Sequence, residues 1–224
     1  MLIVIASELD EVAEREVTSW PRGEAVLMRP QDLCSRGWHV EVGHSDEATF
    51  VAHGQSLPAS SVRGVVNLLP FINERELVTI EPGDRRYVAA ELTAFLFFVL
   101  SEMRCPMVNR PTINNLAGCD WRMQEWIACG RRCGIPLIDY RERDVAIEAR
   151  DIKRISVLDG DVLHSDANLD PACAVELIAH AGLVFAELCY VEDDCGLVLQ
   201  SVSMTPDLSS PAIRSGVQKF FRTH

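Results

Sequence analysis

The chain lacks any apolar stretch approaching the ~20 residues that cross a bilayer. The unbroken run Phe95 to Leu100 falls far short of that and reads as part of a buried helix. The start, Met1-Leu2-Ile3-Val4-Ile5-Ala6-Ser7, has no basic segment ahead of its apolar residues and passes at once into Glu8 and Asp10. It therefore reads as a first β-strand and not as a secretion signal. Basic charge is scarce: 21 Lys and Arg stand against 33 Asp and Glu, for a formal net charge of -12 and a pI near 4.9. Phosphate backbones and anionic membrane surfaces recruit Lys and Arg patches, so this balance argues against nucleic acid and membrane as partners. Glycine-rich phosphate loops are missing too. Gly160 and Gly182 stand isolated, and neither GxGxxG nor GxxxxGK[ST] occurs. Among 8 cysteines there is no CxxC pair, and without a secretion signal free thiols point to a reducing, cytoplasmic setting.

What is present suffices for a globular fold. With 224 residues, 48% hydrophobic and 24% charged, the chain can bury a sizeable core as one domain or two small ones, without disulfides or metal. Cys129 and Cys133 are spaced i, i+4 on a predicted helix with Cys119 upstream, so a thiolate site can be drawn. Buried packing is the favoured reading of free cysteines, and no metal is expected.

Along the chain, strands are predicted at Leu2 to Ser7 and Ala25 to Arg29, with a short helix fitting after Ser7. Trp38-His39-Val40-Glu41-Val42 and Thr49-Phe50-Val51-Ala52-His53 alternate around Gly43-His44-Ser45-Asp46 as a hairpin does, and Ser61 to Leu69 makes a further strand. A long helix is predicted from about Arg85 to Met103 behind Asp84 as N-cap. Its apolar arc, widened by Phe97, Phe98 and Leu100, implies burial on several sides or packing against a second chain. A short strand at Pro106 to Asn109, a helix from Asp120 to Cys133 closed by Gly134, and a strand through Gly134-Ile135-Pro136-Leu137-Ile138-Asp139 follow. Asp159-Gly160 between Ile155 to Leu158 and Asp161 to Ser165 is a strong hairpin signal. Asp170-Pro171 opens a helix that Gly182 ends, and Ser210-Pro211 starts a terminal helix to about Arg222. Between these two helices lies a hairpin: Gly182 to Cys189, a turn at Asp193-Asp194-Cys195-Gly196, then Leu197 to Pro206. This alternation of strands and helices makes α/β the expected class.

The order of these elements resembles ATP-grasp proteins of the glutathione-synthetase and ribosomal-protein glutamate-ligase type, particularly relatives that modify ribosomally made peptides. The resemblance rests on Asn109 followed by a helix and Gly134-Ile135-Pro136, on Arg154-Ile155-Ser156-Val157 with Asp159-Gly160-Asp161-Val162, and on the hairpin Gly182 to Pro206. It implies an ATP-grasp-like α/β fold: an N-terminal β-rich α/β domain over 1–139 and a reduced C-terminal α+β part over 140–224. It also implies a substrate- or phosphate-contacting role for Arg154. In the family an acidic residue on the first closing strand and a Glu-x-Asn triplet on the second hold magnesium. Here those places read Cys189, Ser201 and Ser203. Magnesium needs hard oxygen ligands including carboxylates, which a thiol and two hydroxyls do not supply. The family's central subdomain, which carries phosphate-binding lysines and half of the adenine clamp, is reduced to Tyr140 to Lys153, with Lys153 as its one lysine.

Each remaining constellation has a structural reading beside its functional one. Arg154 suits an anion, but a salt bridge to Asp151, Asp159 or Asp161 is the favoured assignment. Asp193 and Asp194 read as turn formers. His39, His53 and His164 fall on strand segments without a partner at recognisable spacing. Cys189 could be a nucleophile only if a base lowered its pKa, and a structural thiol is favoured. Trp121, Arg122 and Trp126 form a candidate recognition surface, with core anchoring an equal explanation for the tryptophans. The expectation is a cytoplasmic, degenerate ATP-grasp-like protein without cofactor that binds a peptide, an enzyme partner or a second copy of itself. The alternative is an ATP- and magnesium-dependent carboxylate-amine ligase completing its site in trans, with Glu187 or Asp161 replacing the lost metal ligands.

Overall fold

Leu2-Ile3-Val4-Ile5 is apolar on both faces, the pattern of a strand buried inside a parallel sheet. In the computed structural model, which describes residues 1–135, 152–166, 170–193 and 196–224, all four of these side chains are buried. They form β1 (Leu2–Ile5). Asp10 caps α1 (Glu11–Ser19) by accepting a 2.8 Å hydrogen bond from the Ala13 amide, and the chain returns as β2 (Ala25–Met28), parallel to β1. A single turn, α2 (Pro30–Leu33), precedes the hairpin β3 (Thr49–Ala52) and β4 (Gln55–Pro58). β5 (Gly64–Asn67), α3 (Arg85–Glu102) and β6 (Met107–Val108) complete a parallel sheet ordered β2-β1-β5-β6.

One compact unit comprises residues 1–120 and 221–224, and a second comprises 121–220. The expected boundary at 139/140 falls within 136–151, outside the described residues, as do most of the predicted strand Gly134 to Asp139 and most of the segment Tyr140 to Lys153. The second unit contains α4 (Met123–Arg132), β7 (Lys153–Leu158), β8 (Asp161–Ser165), α5 (Pro171–His180), β9 (Phe185–Asp193), β10 (Gly196–Ser203) and most of α6 (Pro211–Thr223). Its sheet is antiparallel in the order β10-β9-β7-β8, and α5 packs against β7, β8 and β9. Ile155, Val157, Ala186 and Leu188 alternate to the apolar side of this sheet, while Ala174, Leu177 and Ile178 of α5 are buried. Each such fully buried aliphatic side chain contributes ~1.5–3 kcal/mol relative to exposure.

The hairpin of the first unit differs from the sequence reading. The hairpin pairs Thr49–Ala52 with Gln55–Pro58 and turns at His53-Gly54, whose φ values of 49° and 69° are those of a tight hairpin turn. Trp38 to Val42 contributes only an isolated bridge from His39 to Thr49, and 45–47 forms a short 3-10 turn. His53 is thus a turn residue and not a strand residue. The reason lies in Asp32, whose carboxylate accepts hydrogen bonds from the amides of His53 and Gly54, each at 3.1 Å, and of Arg29 at 2.9 Å. It pins the turn to the end of α2. The broad apolar arc of α3 is used within this unit: Ala89, Leu96, Val99 and Leu100 are buried, and Phe95, Phe97 and Phe98 pack partly buried against the same core. Asp84 stands at the N-cap of α3 without a side-chain capping bond.

Candidate functional site

The antiparallel register brings polar residues from β7, β8, β9 and β10 into two adjoining rows on one face of the sheet. Arg154 stands opposite Cys189, which stands opposite Ser201. Two residues along each strand, His164, Ser156, Glu187 and Ser203 line up in the same way. This placement is a consequence of strand periodicity, because side chains two apart on a strand share a face. The bulge at Gln200, where the β9–β10 register steps from Leu199 to Ser201, keeps Ser201 and Ser203 on that face.

Within the rows the groups satisfy one another. The buried Ser156 hydroxyl donates to Glu187 Oε2 at 2.7 Å, and Arg154 Nε lies 3.6 Å from Glu187 Oε1. The Glu187 side chain is 17% exposed and that of Arg154 48%, so the pair is half-screened by solvent. Cys189 lies between Arg154 and Ser201 in the register. Burial and then the Glu187 carboxylate push its thiol up from the ordinary value, outweighing the opposite pull of Ser201 and Arg154. Cys189 therefore stays a protonated thiol at neutral pH and is no nucleophile as it stands. The Arg154 amide donates to the Asp166 carboxylate, which also lies 3.5 Å from His164 Nε2. Of the acidic partners expected for Arg154, Asp161 instead meets Lys219 at 2.9 Å, and Asp151 lies outside the described residues. The partner that strand register supplies is Glu187.

Among the described residues, the rows offer magnesium the Glu187 carboxylate, which already accepts from Ser156 and faces a guanidinium. Cys189, Ser201 and Ser203 add a thiol and two hydroxyls. This donor set does not fit a magnesium ion carrying nucleotide phosphates, which asks for several hard, anionic oxygens. Asp161 does not repair it, being tied to Lys219. The turn with Asp194 lies outside the described residues.

The remaining candidates divide differently. Trp126 is buried and its ring meets that of the half-buried Trp121 edge-on at a centroid distance of 4.9 Å, whereas Arg122 is exposed. Glu125 caps the start of α4 by accepting the Arg122 amide at 2.7 Å. On the first unit, an open groove of about 810 Å3 runs along α3, lined among others by Phe71, Arg75, Ala90, Ala94, Phe97 and Ile113. Phe71 and Ile113 are exposed there, 55% and 78%. A cluster that sequence spacing did not reveal lies on the second unit: Cys129 and Cys133 of α4 meet His180 at the end of α5, one donor atom from each lying within 4.8 Å of the others. Burial, followed by the neighbouring Cys129 thiol, pushes Cys133 up to about 11. Nothing in the linear spacing of Cys129, Cys133 and His180 joins them; only the packing of α4 against α5 does.

No protein-family model matches the chain, and no curated protein sequence matches it. Solved structures do. The macrocyclase MdnC from Microcystis aeruginosa MRC, bound with precursor peptide MdnA, superposes with a TM-score of 0.70 at 10% identity, covering 98% of this chain and 99% of that one. The ATP-grasp ligase PsnB complexed with a minimal precursor gives 0.66 at 13% identity, with 99% and 98% covered. The macrocyclase MdnB from Microcystis aeruginosa MRC gives 0.58 at 12% identity, with 98% of each chain covered. The chain has an ATP-grasp-like fold. Among the described residues, no helix is long and apolar enough to cross a membrane.

Proposed function

We propose that this chain is a non-catalytic, ATP-grasp-like accessory protein that binds a peptide, an enzyme partner or a second copy of itself. The observation that carries this reading is the pair of polar rows on the antiparallel sheet. On the family resemblance the metal-ligand places fall on Cys189, Ser201 and Ser203, and Glu187, the carboxylate that shares their rows among the described residues, is engaged by Ser156 and Arg154. The short segment Tyr140 to Lys153 in place of a nucleotide-clamping subdomain supports the same conclusion. A peptide partner is supported by similarity to MdnC and PsnB, both solved with precursor peptides, and by a groove along α3 whose volume of about 810 Å3 falls within the range of ligand clefts. Arg154, with its half-exposed guanidinium, is the anion-contacting residue of the sheet face under this reading.

The rival is a carboxylate-amine ligase whose site is completed by a second subunit, with Glu187 as the surviving acidic group. The two separate in an assay of phosphate release from ATP and magnesium at rising protein concentration. The accessory reading expects no turnover at any concentration. Turnover that grows with the square of protein concentration supports the rival and removes the non-catalytic assignment. Self-association is tested by size-exclusion chromatography with light scattering, where a strict monomer at high concentration eliminates the second copy as partner.

A further inference from the structure

Cys129, Cys133 and His180 bring two sulfur donors and one imidazole to within 4.8 Å of one another. Both thiols are buried, 1% and 5% exposed, whereas His180 is exposed. Cys129 sits in the last turn of α4 and Cys133 caps it four residues on, so their sulfurs project from one face, and α5, which contacts α4, brings His180 to them. His180 Nδ1 lies 2.9 Å from the Glu176 carbonyl oxygen. A carbonyl only accepts, so Nδ1 carries the proton and Nε2 is left with the free lone pair. Metal-ligating histidines are arranged in this way, their second nitrogen donating to a backbone carbonyl that fixes tautomer and ring orientation.

The geometry points to a zinc site formed by Cys129, Cys133 and His180, bracing α4 against α5. Two thiolates and an imidazole are a soft-to-borderline donor set that selects zinc over magnesium or calcium. Tetrahedral zinc with ~2.3 Å bonds to sulfur and ~2.0–2.1 Å to nitrogen sets its donors roughly 3.5–3.8 Å apart, so this trio needs to draw in by up to about 1.3 Å. Side-chain rotation covers that distance without moving either helix. The fourth place goes to water, since His180 is exposed. Binding displaces one proton from each thiol and involves no oxidation. The site is separate from the polar rows of the sheet, and its success or failure does not depend on the accessory reading above.

The test uses the full chain, stripped with chelator and kept under a phosphine reductant, titrated with zinc alone and with cobalt alone. The expected result is one metal per chain and, with cobalt, a thiolate charge-transfer band with tetrahedral d–d absorption. Cys133→Ser and His180→Ala should each weaken binding tenfold or more, whereas Cys34→Ser, an exposed thiol elsewhere, should leave it unchanged. Zinc should raise the melting temperature of the native chain but not of His180→Ala. The His180 substitution is on the surface, so it keeps the test decisive should Cys133→Ser fail to fold. Absence of a thiolate–cobalt band, or a band that survives His180→Ala at undiminished affinity, overturns the site.

Discussion

The two compact units use their buried polar groups in opposite ways. In the parallel-sheet unit, polar side chains hold backbone: Asp32 accepts three amides, Glu76 accepts the Glu8 amide at 2.8 Å, and Asn67 donates to Leu69 and Leu116 carbonyls at 2.9 and 2.7 Å while accepting the Leu69 amide. On the polar face of the antiparallel-sheet unit, by contrast, side chains meet side chains: Ser156 donates to Glu187, and the half-exposed Arg154 lies 3.6 Å from the same carboxylate. A side chain that satisfies backbone has no water to replace it when removed. A side chain that satisfies a half-exposed neighbour can be replaced by solvent. The first arrangement therefore costs more stability when broken than the second.

This contrast fixes an order of effects. Asp32→Ala strands three amides around a 9% exposed position and should cost about 3–5 kcal/mol, since each hydrogen bond to a charged group is worth ~1.5–3 and the losses are not additive. Urea denaturation measures it, and a cost below ~1 kcal/mol would break the comparison. Asn67→Ala removes three bonds at a 1% exposed neutral site and should cost about 2–3 kcal/mol in the same experiment. On the sheet face Ser156→Ala should cost only about 1 kcal/mol, because Glu187 keeps Arg154 and partial access to water. A larger loss would show that the row is a structural network like that of Asp32.

A further effect is one of pH. Cys133 has an ordinary value of 9.0 raised to about 11, so the folded state holds its thiol proton where the unfolded chain has released it. The contribution is fully present below pH 9, and stability should decline as pH rises from about 9 to about 11. Cys189 is shifted in the same direction and adds to the decline. Metal-free Cys133→Ser should show a shallower fall, read as denaturation midpoints at pH 8 and pH 10. An equal slope in both proteins would assign the effect to other groups.

Much of this was legible in the chain. Asp159-Gly160 marks its hairpin because both residues accept positive φ, 51° and 79°, and Asp170-Pro171 with Gly182 frames α5 by cap chemistry acting over a few residues. The hairpin of β3 and β4 was misplaced because His53 enters the left-handed region under restraint from Asp32, distant in sequence, and histidine announces no such turn. The closing strands were legible as a hairpin, but the contacts of the polar residues they carry were not. That Glu187 faces Arg154 depends on β7–β9 register, and that His180 joins Cys129 and Cys133 depends on helix packing. Neither leaves a local pattern in the sequence.

The central claim is that the fold persists while the polar rows no longer hold metal-bound nucleotide. Isothermal titration calorimetry of ATP and ADP into the purified chain, with and without magnesium, tests it most directly. The account predicts no binding heat at millimolar nucleotide in either condition. Magnesium-dependent binding at micromolar affinity would contradict it and show that Glu187, freed from Arg154, serves the ion after all.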